Sequence, residues 1–179
     1  MKARRTSTKV KNTSKRNVAI RKAIRQALPA MKEKVYAEYP YSKIANLLDI
    51  ELDSFRGRKA KSLKADVFVR DYFVAVEAMG EQHFRPVAFG GDPAEAERRF
   101  KTQQQNDRIK REIAELSNGR FKVIELPYNI ELPDSMGWLS ILHQVAVMGA
   151  DSVYVVEEAT VKPIDEDGKV KAYGKKYER

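Results

Sequence analysis

The stretch KADVFVRDYFVAVEAMGEQHF, residues 64–84, contains the pattern that decides the fold. Two runs rich in valine, phenylalanine and alanine, at 66–69 and 73–77, flank a short polar segment at 70–72. β-branched and aromatic residues favour strands, and a short polar segment between two such runs favours a turn. The stretch therefore predicts a β-hairpin that begins on Asp66 and ends on Glu77, with His83 six residues beyond it.

The segments around this hairpin carry helix and strand patterns in turn. Upstream, apolar residues at helical spacing predict a helix from about residue 14 to Val35, broken or kinked near Pro29. Downstream, Asp92 and Pro93 predict the N-cap and first position of a long helix that ends before the Asn-Gly pair at 118–119. The other segments are a short helix at 41–52, a basic loop at 55–64, strands at 120–126 and 152–158, and a helix at 135–148. This order predicts an α/β fold in which helices flank a small mixed β-sheet.

The composition points to a polyanionic partner. The chain has 179 residues, 33% of them charged, with a net charge of +9 and no cysteine. Nucleic acid is the commonest polyanion that so basic a chain meets, although a merely soluble basic protein would share this composition. The absence of cysteine excludes disulfides, thiolate nucleophiles and cysteine zinc sites, and it fits a reducing intracellular setting. Neither a membrane-spanning run nor a secretory signal is expected, because no apolar stretch approaches about 20 residues.

The positive charge is concentrated at the N-terminus. Residues 1–32 hold eleven Lys or Arg and no acid, and residues 1–13 have almost nothing to bury, which predicts a mobile arm followed by an amphipathic basic helix. Two interpretations stay open for this helix: contact with DNA phosphates, or packing on the core with a solvated basic face. The DNA-contacting candidates in the arm, the helix and the basic loop are Arg4, Arg5, Arg16, Arg21, Arg25, Arg56, Arg58, Lys59 and Lys61.

Polar residues at unusual places in the predicted core indicate a chemical site. Asp66 begins the first hairpin strand and Glu77 ends the second, so the two carboxylates are expected to be cross-strand neighbours. Asp107 lies seven residues after Phe100, about two helical turns, and so on the stripe that faces the core. Two carboxylates held close repel each other unless a cation lies between them, and Mg²⁺ prefers such hard oxygen ligands.

His83 completes a set suited to phosphodiester hydrolysis. A bound Mg²⁺ would polarise a phosphate, and an imidazole would take a proton from the attacking water or orient it. Taken singly, each of these residues has a structural explanation: an acid at a strand end is usually solvated, and a lone histidine usually supports packing. Taken together beside a basic surface, they make a nuclease and a structural cluster about equally plausible.

The stretch from residue 64 to 129 resembles the PD-(D/E)XK nuclease superfamily, which has the restriction-endonuclease-like fold. It is most similar to a branch shared by the very short patch repair endonuclease and phage-encoded homing endonucleases, summarised as an E-D-x-H-D site. The motifs that carry the resemblance are E-x-x-G-E-Q-H-F, at 77–84, and D-x-x-K, at 107–110.

The resemblance implies a role for each matching residue. Asp66 and Glu77 correspond to metal ligands, His83 to the general base or water-orienting group, and Asp107 to the helix residue that supports the site. The leading Glu of the motif would come from an upstream helix, and its candidates in order are Glu38, Glu33 and Glu51. The usual E-x-K lysine is missing, since Met79 stands two residues after Glu77. Lys110 is within reach in sequence, but a solvated lysine is the expected state.

The resemblance implies a Mg²⁺-dependent DNA endonuclease of the phage homing type, with Mn²⁺ as a substitute ion, that acts in the bacterial cytoplasm on double-stranded DNA. The chain would divide into a basic arm and helix at 1–32, a nuclease domain at 33–158 and a polar tail at 159–179. Its small size favours a homodimer or higher homo-oligomer. The alternatives are a Holliday-junction resolvase or repair nickase of the same fold, and a nucleic-acid-binding protein without catalytic activity.

Overall fold

The computed structural model describes residues 15–88, 91–149, 151–158 and 160–171. Arg4 and Arg5, and the rest of the predicted arm, lie outside the described residues. Five helices and six strands alternate along the described chain. In order, they are α1 (Lys15–Ala27), β1 (Val35–Pro40), α2 (Tyr41–Leu47), α3 (Ser54–Ser62), β2 (Lys64–Val69), β3 (Val74–Met79), α4 (Pro93–Leu116), β4 (Lys122–Pro127), α5 (Ser135–Val147), β5 (Val153–Glu157) and β6 (Thr160–Pro163). Short 3₁₀ helices lie at Pro29–Lys34, Arg70–Tyr72 and Glu81–His83.

The six strands form one mixed sheet in the order β1-β2-β3-β4-β5-β6. The pairs β1–β2, β2–β3 and β5–β6 are antiparallel, whereas β3–β4 and β4–β5 are parallel, with α4 and α5 as the crossover helices. The predicted fold class, an α/β protein with helices flanking a mixed sheet, is confirmed. The predicted hairpin is also present, because β2 and β3 pair around a 3₁₀ turn that ends on Phe73 in the left-handed region.

Each face of the sheet has its own hydrophobic core. Helices α1 and α5 cover one face, where Ile20, Ile24 and Trp138 are fully buried against Val67 and Val76. Residues of α2, α3 and α4 cover the other face and pack around Phe68, Phe121 and Ile113. Because α1 contributes to the first core, residues 15–27 are an integral part of the domain rather than an appendage. Of the two interpretations of this helix, packing on the core is therefore observed.

The segment after α1 forms a strand instead of the predicted continuation of the helix. The helix ends at Ala27, before Pro29, and a 3₁₀ turn leads into β1. Met31 and Val35 fall at helical spacing, but Val35 begins the strand and pairs with Val69. Proline cannot donate the backbone hydrogen bond that a helix interior needs, so a new element begins after it.

Residues 54–62 form helix α3, so the predicted basic loop is wrong. The Asp53 side chain caps this helix by accepting a hydrogen bond from the Arg56 backbone N–H at 2.7 Å. Ala60 is fully buried against the second core, which holds the helix in place despite its internal Gly57. A capping hydrogen bond and one buried contact outweigh the cost of about 1 kcal/mol for an internal glycine.

Helix α4 follows its sequence signals. Asp92 accepts a hydrogen bond from the Ala94 N–H, Pro93 occupies the first turn, and the chain after the helix turns through Asn118 and Gly119, both with positive φ. At the C-terminus, β6 pairs with β5 and Ile164 bridges to Val170, so the described part of the predicted tail completes the sheet. The boundary expected between 158 and 159 therefore falls inside the domain.

Candidate active site

The site lies where the β2–β3 hairpin opens, under helix α4. The last pair of this ladder is Val67 with Val76, and one position further along it are Asp66 and Glu77. At this end of the hairpin a side chain accepts the backbone hydrogen bond: the Ala78 N–H donates to the Asp66 Oδ2 at 2.9 Å. The structure thus brings the two carboxylates together, as the hairpin register predicts.

Glu77 is almost fully buried, at 3% exposure, and both of its oxygens have donors. The Tyr41 hydroxyl donates to Oε1 at 2.8 Å, and the Lys110 ammonium donates to Oε2 at 2.5 Å. The pKa of Glu77 is raised to about 7, mainly by burial and also by the nearby Asp66 charge, although Lys110 and Tyr41 act in the opposite direction. Additional positive charge near this carboxyl group would therefore stabilise its ionised form.

Asp66 shares this electrostatic environment. Burial raises its pKa, while the Ala78 N–H, the positive charge of Lys110 and the Asn17 side chain lower it. The Asn17 Nδ2 donates to Oδ1 at 2.6 Å, so one residue of α1 contacts the site. Two carboxyl groups with raised pKa values, of which only Glu77 is bonded to an ammonium, form a centre that would bind a further cation.

His83 is held by Asp107, which lies in α4. The His83 Nδ1 lies 2.7 Å from the Asp107 Oδ2, and a carboxylate can only accept, so Nδ1 carries the proton. This tautomer leaves the Nε2 lone pair to accept a proton or to bind an electrophile. The Gln103 amide donates to the other Asp107 oxygen at 2.9 Å, which fixes the carboxylate from the preceding turn of the same helix.

A second ion pair lies beside the first. Glu77 and Glu125 are register partners on the parallel strands β3 and β4, and consecutive residues of α4 meet them. Arg111 donates to both Glu125 oxygens, at 2.6 and 2.9 Å, just as Lys110 donates to Glu77. These two pairs fix the position of α4 over the sheet, because moving the helix by one residue would break both.

The structure therefore unites four of the predicted site residues, Asp66, Glu77, His83 and Asp107, along one hairpin end and one helix. It also corrects the prediction for Lys110, whose side chain is only 12% exposed and is bound to Glu77 rather than solvated. Burial lowers the pKa of Lys110, but the Glu77 carboxylate raises it more, so the ammonium stays charged. The spacing of 103, 107, 110 and 111 on one helical face is the sequence signal that would have identified this set.

The candidates for the leading Glu lie elsewhere than expected. Glu38 is on β1, not on an upstream helix, at the register position opposite Asp66, and its carboxylate lies 3.6 Å from the Lys64 Nζ. Glu33 is exposed on the 3₁₀ helix Pro29–Lys34, and Glu51 is exposed in the loop before α3. The helix residue that contacts Asp66 is Asn17 of α1. A lone asparagine forms no recognisable motif, so the sequence did not predict this contact.

Several of the predicted DNA-contacting residues are engaged within the protein. Arg16 donates to the backbone carbonyls of Pro127, Tyr128 and Ile130, and Arg25 donates to the Val35 carbonyl. Arg56 forms ion pairs with Glu112 and with the Asp53 cap. Of the other described candidates, Arg21 on α1 and Lys59 on α3 are half-exposed, and Arg58 and Lys61 on α3 are exposed.

The site offers two carboxylates to a hard divalent ion, which is fewer ligands than a complete protein metal site has. Within the described ranges, no group of three or more His, Cys, Asp and Glu residues is arranged to hold a metal. Asp66 and Glu77 supply two carboxylates, and Mg²⁺ is often bound by only one or two carboxylates together with waters and substrate phosphates. Each carboxylate oxygen here accepts one protein hydrogen bond and has a second lone pair.

Comparison of the chain with models of protein families, with curated protein sequences and with solved structures found no match. In the part of the chain that the structure describes, no helix is both long enough and apolar enough to cross a bilayer.

Proposed function

We propose that this protein is a Mg²⁺-dependent DNA endonuclease that hydrolyses phosphodiester bonds. One cluster carries this proposal: the buried Glu77 and the half-buried Asp66 both have raised pKa values, Lys110 contacts Glu77, and the Asp107-oriented His83 lies close enough to act on Asp66 through its charge. A purely structural cluster would gain by being neutral or by being replaced with apolar residues. Perturbed titratable groups of this kind are more typical of sites that bind or react.

Each side chain has a role that its contacts support. When bound at Asp66 and Glu77, Mg²⁺ supplies the Lewis acidity that polarises a phosphodiester. The Lys110 ammonium adds fixed positive charge beside Glu77, and we assign it the role of the E-x-K lysine that this chain lacks. The His83 Nε2 accepts a proton from water, and Asp107 stabilises the resulting imidazolium through Nδ1.

The basic surface supports DNA as the substrate. Helix α3 packs on the same face of the sheet as α4, and its Arg58 and Lys61 side chains are exposed there. Phosphate contacts by such residues give affinity and position but no choice of sequence. The homing role, the phage origin, the bacterial cytoplasm and the homodimer all remain predictions from the resemblance and from chain length.

Cleavage of supercoiled plasmid tests the proposal. The wild type should nick or linearise DNA with Mg²⁺ or Mn²⁺ and be inactive in EDTA, and Asp66→Asn and His83→Ala should lose at least about a hundredfold in rate. His143→Ala is the matched control, because the second histidine is exposed on α5 and far along the chain from the site. It should cleave like the wild type.

The alternatives give different results in the same assay. A protein that shifts DNA in a gel but leaves every plasmid, mismatched and branched substrate intact over a range of divalent ions is a nucleic-acid-binding protein without catalysis. Preferential cleavage of four-way junctions or mismatches over plain duplex would instead identify a resolvase or a repair nickase.

A further inference from the structure

A groove adjoins the His83–Asp107 pair. Its volume is about 610 Å³, and it extends from His83 and Phe84, past the α4 residues Asp107 and Arg111, to the turn at 166–168. Small-molecule sites typically have volumes of about 300–1,000 Å³, so the groove is large enough for one nucleotide.

The floor of the groove is neutral overall. It consists of the Arg111–Glu125 ion pair and the apolar side chains of Met79, Val155 and Ile164. Arg111 directs its Nε and Nη2 at Glu125 and its Nη1 at the Glu166 carbonyl, 3.3 Å away. The guanidinium is therefore committed to protein acceptors and does not serve as a phosphate clamp.

The outer wall of the groove favours a base over a phosphate. Glu166 and Asp167 are exposed there, and Arg108 of α4, whose Nη2 lies 3.9 Å from a Glu166 oxygen, offsets one of their two charges. The net negative charge that is left disfavours a phosphodiester. Carboxylates accept hydrogen bonds from the exocyclic amino groups of nucleobases, as Asp and Glu do with cytosine N4. The charge of this wall therefore favours the base of a nucleotide over its phosphate.

An aromatic side chain stands at the entrance. Phe84 is 52% exposed, directly follows His83, and lies 5.9 Å from the exposed Tyr128 ring between centroids. A large apolar ring exposed next to a polar site gains from an apolar partner, and nucleobases stack on such rings whatever their sequence.

We propose that this groove binds one unpaired nucleobase of the DNA whose phosphate lies at His83. The inference rests on the proposed function and names the state of its substrate: DNA in which one nucleotide is unpaired, at a bulge or after extrusion from a duplex. A base that is stacked and paired inside a duplex cannot enter a concave groove, because its partner and its stacked neighbours would have to enter with it.

Binding measured in EDTA tests the pocket without cleavage. Two fluorescent duplexes are compared, one with a single bulged adenosine and one with an abasic bulge at the same place, so that phosphate count and bend are matched. The wild type should bind the adenosine bulge about tenfold more tightly, as expected for one stacked base. Phe84→Ala should lose this preference, and Met136→Ala, which truncates an exposed apolar side chain on α5, should keep it.

A second variant, Glu166→Gln with Asp167→Asn, changes only exposed side chains, so it tests the pocket even where Phe84→Ala fails to fold. It should reduce the preference by at least about threefold, the loss of roughly one hydrogen bond. Equal affinity of the wild type for both duplexes would overturn the pocket, as would an undiminished preference in both groove variants. Binding with the expected preference but without plasmid cleavage would support the pocket and refute the endonuclease, whereas plasmid cleavage without any preference for the adenosine bulge would refute the pocket alone.

Discussion

Replacing Glu77 by glutamine should stabilise the protein at alkaline pH while abolishing cleavage. Burial raises the pKa of this carboxyl group from 4.5 to about 7. Below pH 4.5 the group is protonated in both the folded and unfolded states, so it imposes no cost. As the pH rises from 4.5 to 7, the unfolded chain ionises first, and the free energy of unfolding falls. Each pKa unit corresponds to about 1.4 kcal/mol, which gives a loss of about 3 kcal/mol above pH 7.

Glutamine resembles the protonated acid in shape and in having one acceptor oxygen, so Glu77→Gln should not show this loss. Urea unfolding at pH 5 and pH 8 measures it: the variant should be more stable than the wild type by about 3 kcal/mol at pH 8 and equal to it at pH 5. Saturating Mg²⁺ at pH 8 should stabilise the wild type and not the variant. Glu131→Gln, on an exposed loop, controls for the loss of one carboxylate.

Two results would refute this reasoning. A variant that is less stable than the wild type at pH 8 would show that the ion pair with Lys110 outweighs the cost of burying the Glu77 charge. If the free energy of unfolding differs between the wild type and Glu77→Gln by the same amount at pH 5 and pH 8, the pKa of Glu77 is not raised by folding.

Three further variants test other contacts. Lys110→Met should slow plasmid cleavage at least about a hundredfold and leave DNA affinity in EDTA unchanged. Lys101→Met is the control, because Lys101 is exposed on the same helix, and it should cleave like the wild type. Full activity of Lys110→Met would exclude an electrostatic role of Lys110 in cleavage. Tyr41→Phe removes the donor to a buried carboxylate and should lower the free energy of unfolding by about 1–3 kcal/mol in urea, and no change would mean that this hydrogen bond has no net value. In the same measurement, Gly168→Ala should lower the free energy of unfolding by at least about 1 kcal/mol more than Gly149→Ala. Both glycines have positive φ, but only at 168 would a Cβ lie 2.9 Å from the Arg111 guanidinium. Equal losses of stability would contradict that clash.

The parts of the fold that could be predicted depend on neighbours in sequence. The hairpin follows from two β-rich runs around a turn, and α4 follows from the Asp92 cap, Pro93 and the Asn-Gly stop. The failures occur where a local pattern is ambiguous. Met31 and Val35 match helical spacing by coincidence beyond a proline, and the basic residues with Gly57 conceal the single buried contact of α3 at Ala60.

The same division holds for the site. Asp66 and Glu77 are fixed by hairpin register and Asp107 by helix pitch, so their proximity could be inferred from spacing alone. Tyr41 and Asn17 reach the carboxylates from α2 and α1 across the tertiary fold, which no spacing rule describes. Hydrophobic packing of these helices, not local sequence, determines their contacts with the site.

The distance in sequence between Glu77 and the lysine that contacts it has a practical consequence for finding related chains. The two residues are 33 positions apart and come from different elements. A linear pattern that requires a lysine two residues after the acid would overlook this protein and any homologue built in the same way. A three-dimensional template of a strand glutamate with a lysine from the overlying helix would retrieve them, and it tolerates loops of any length between the two.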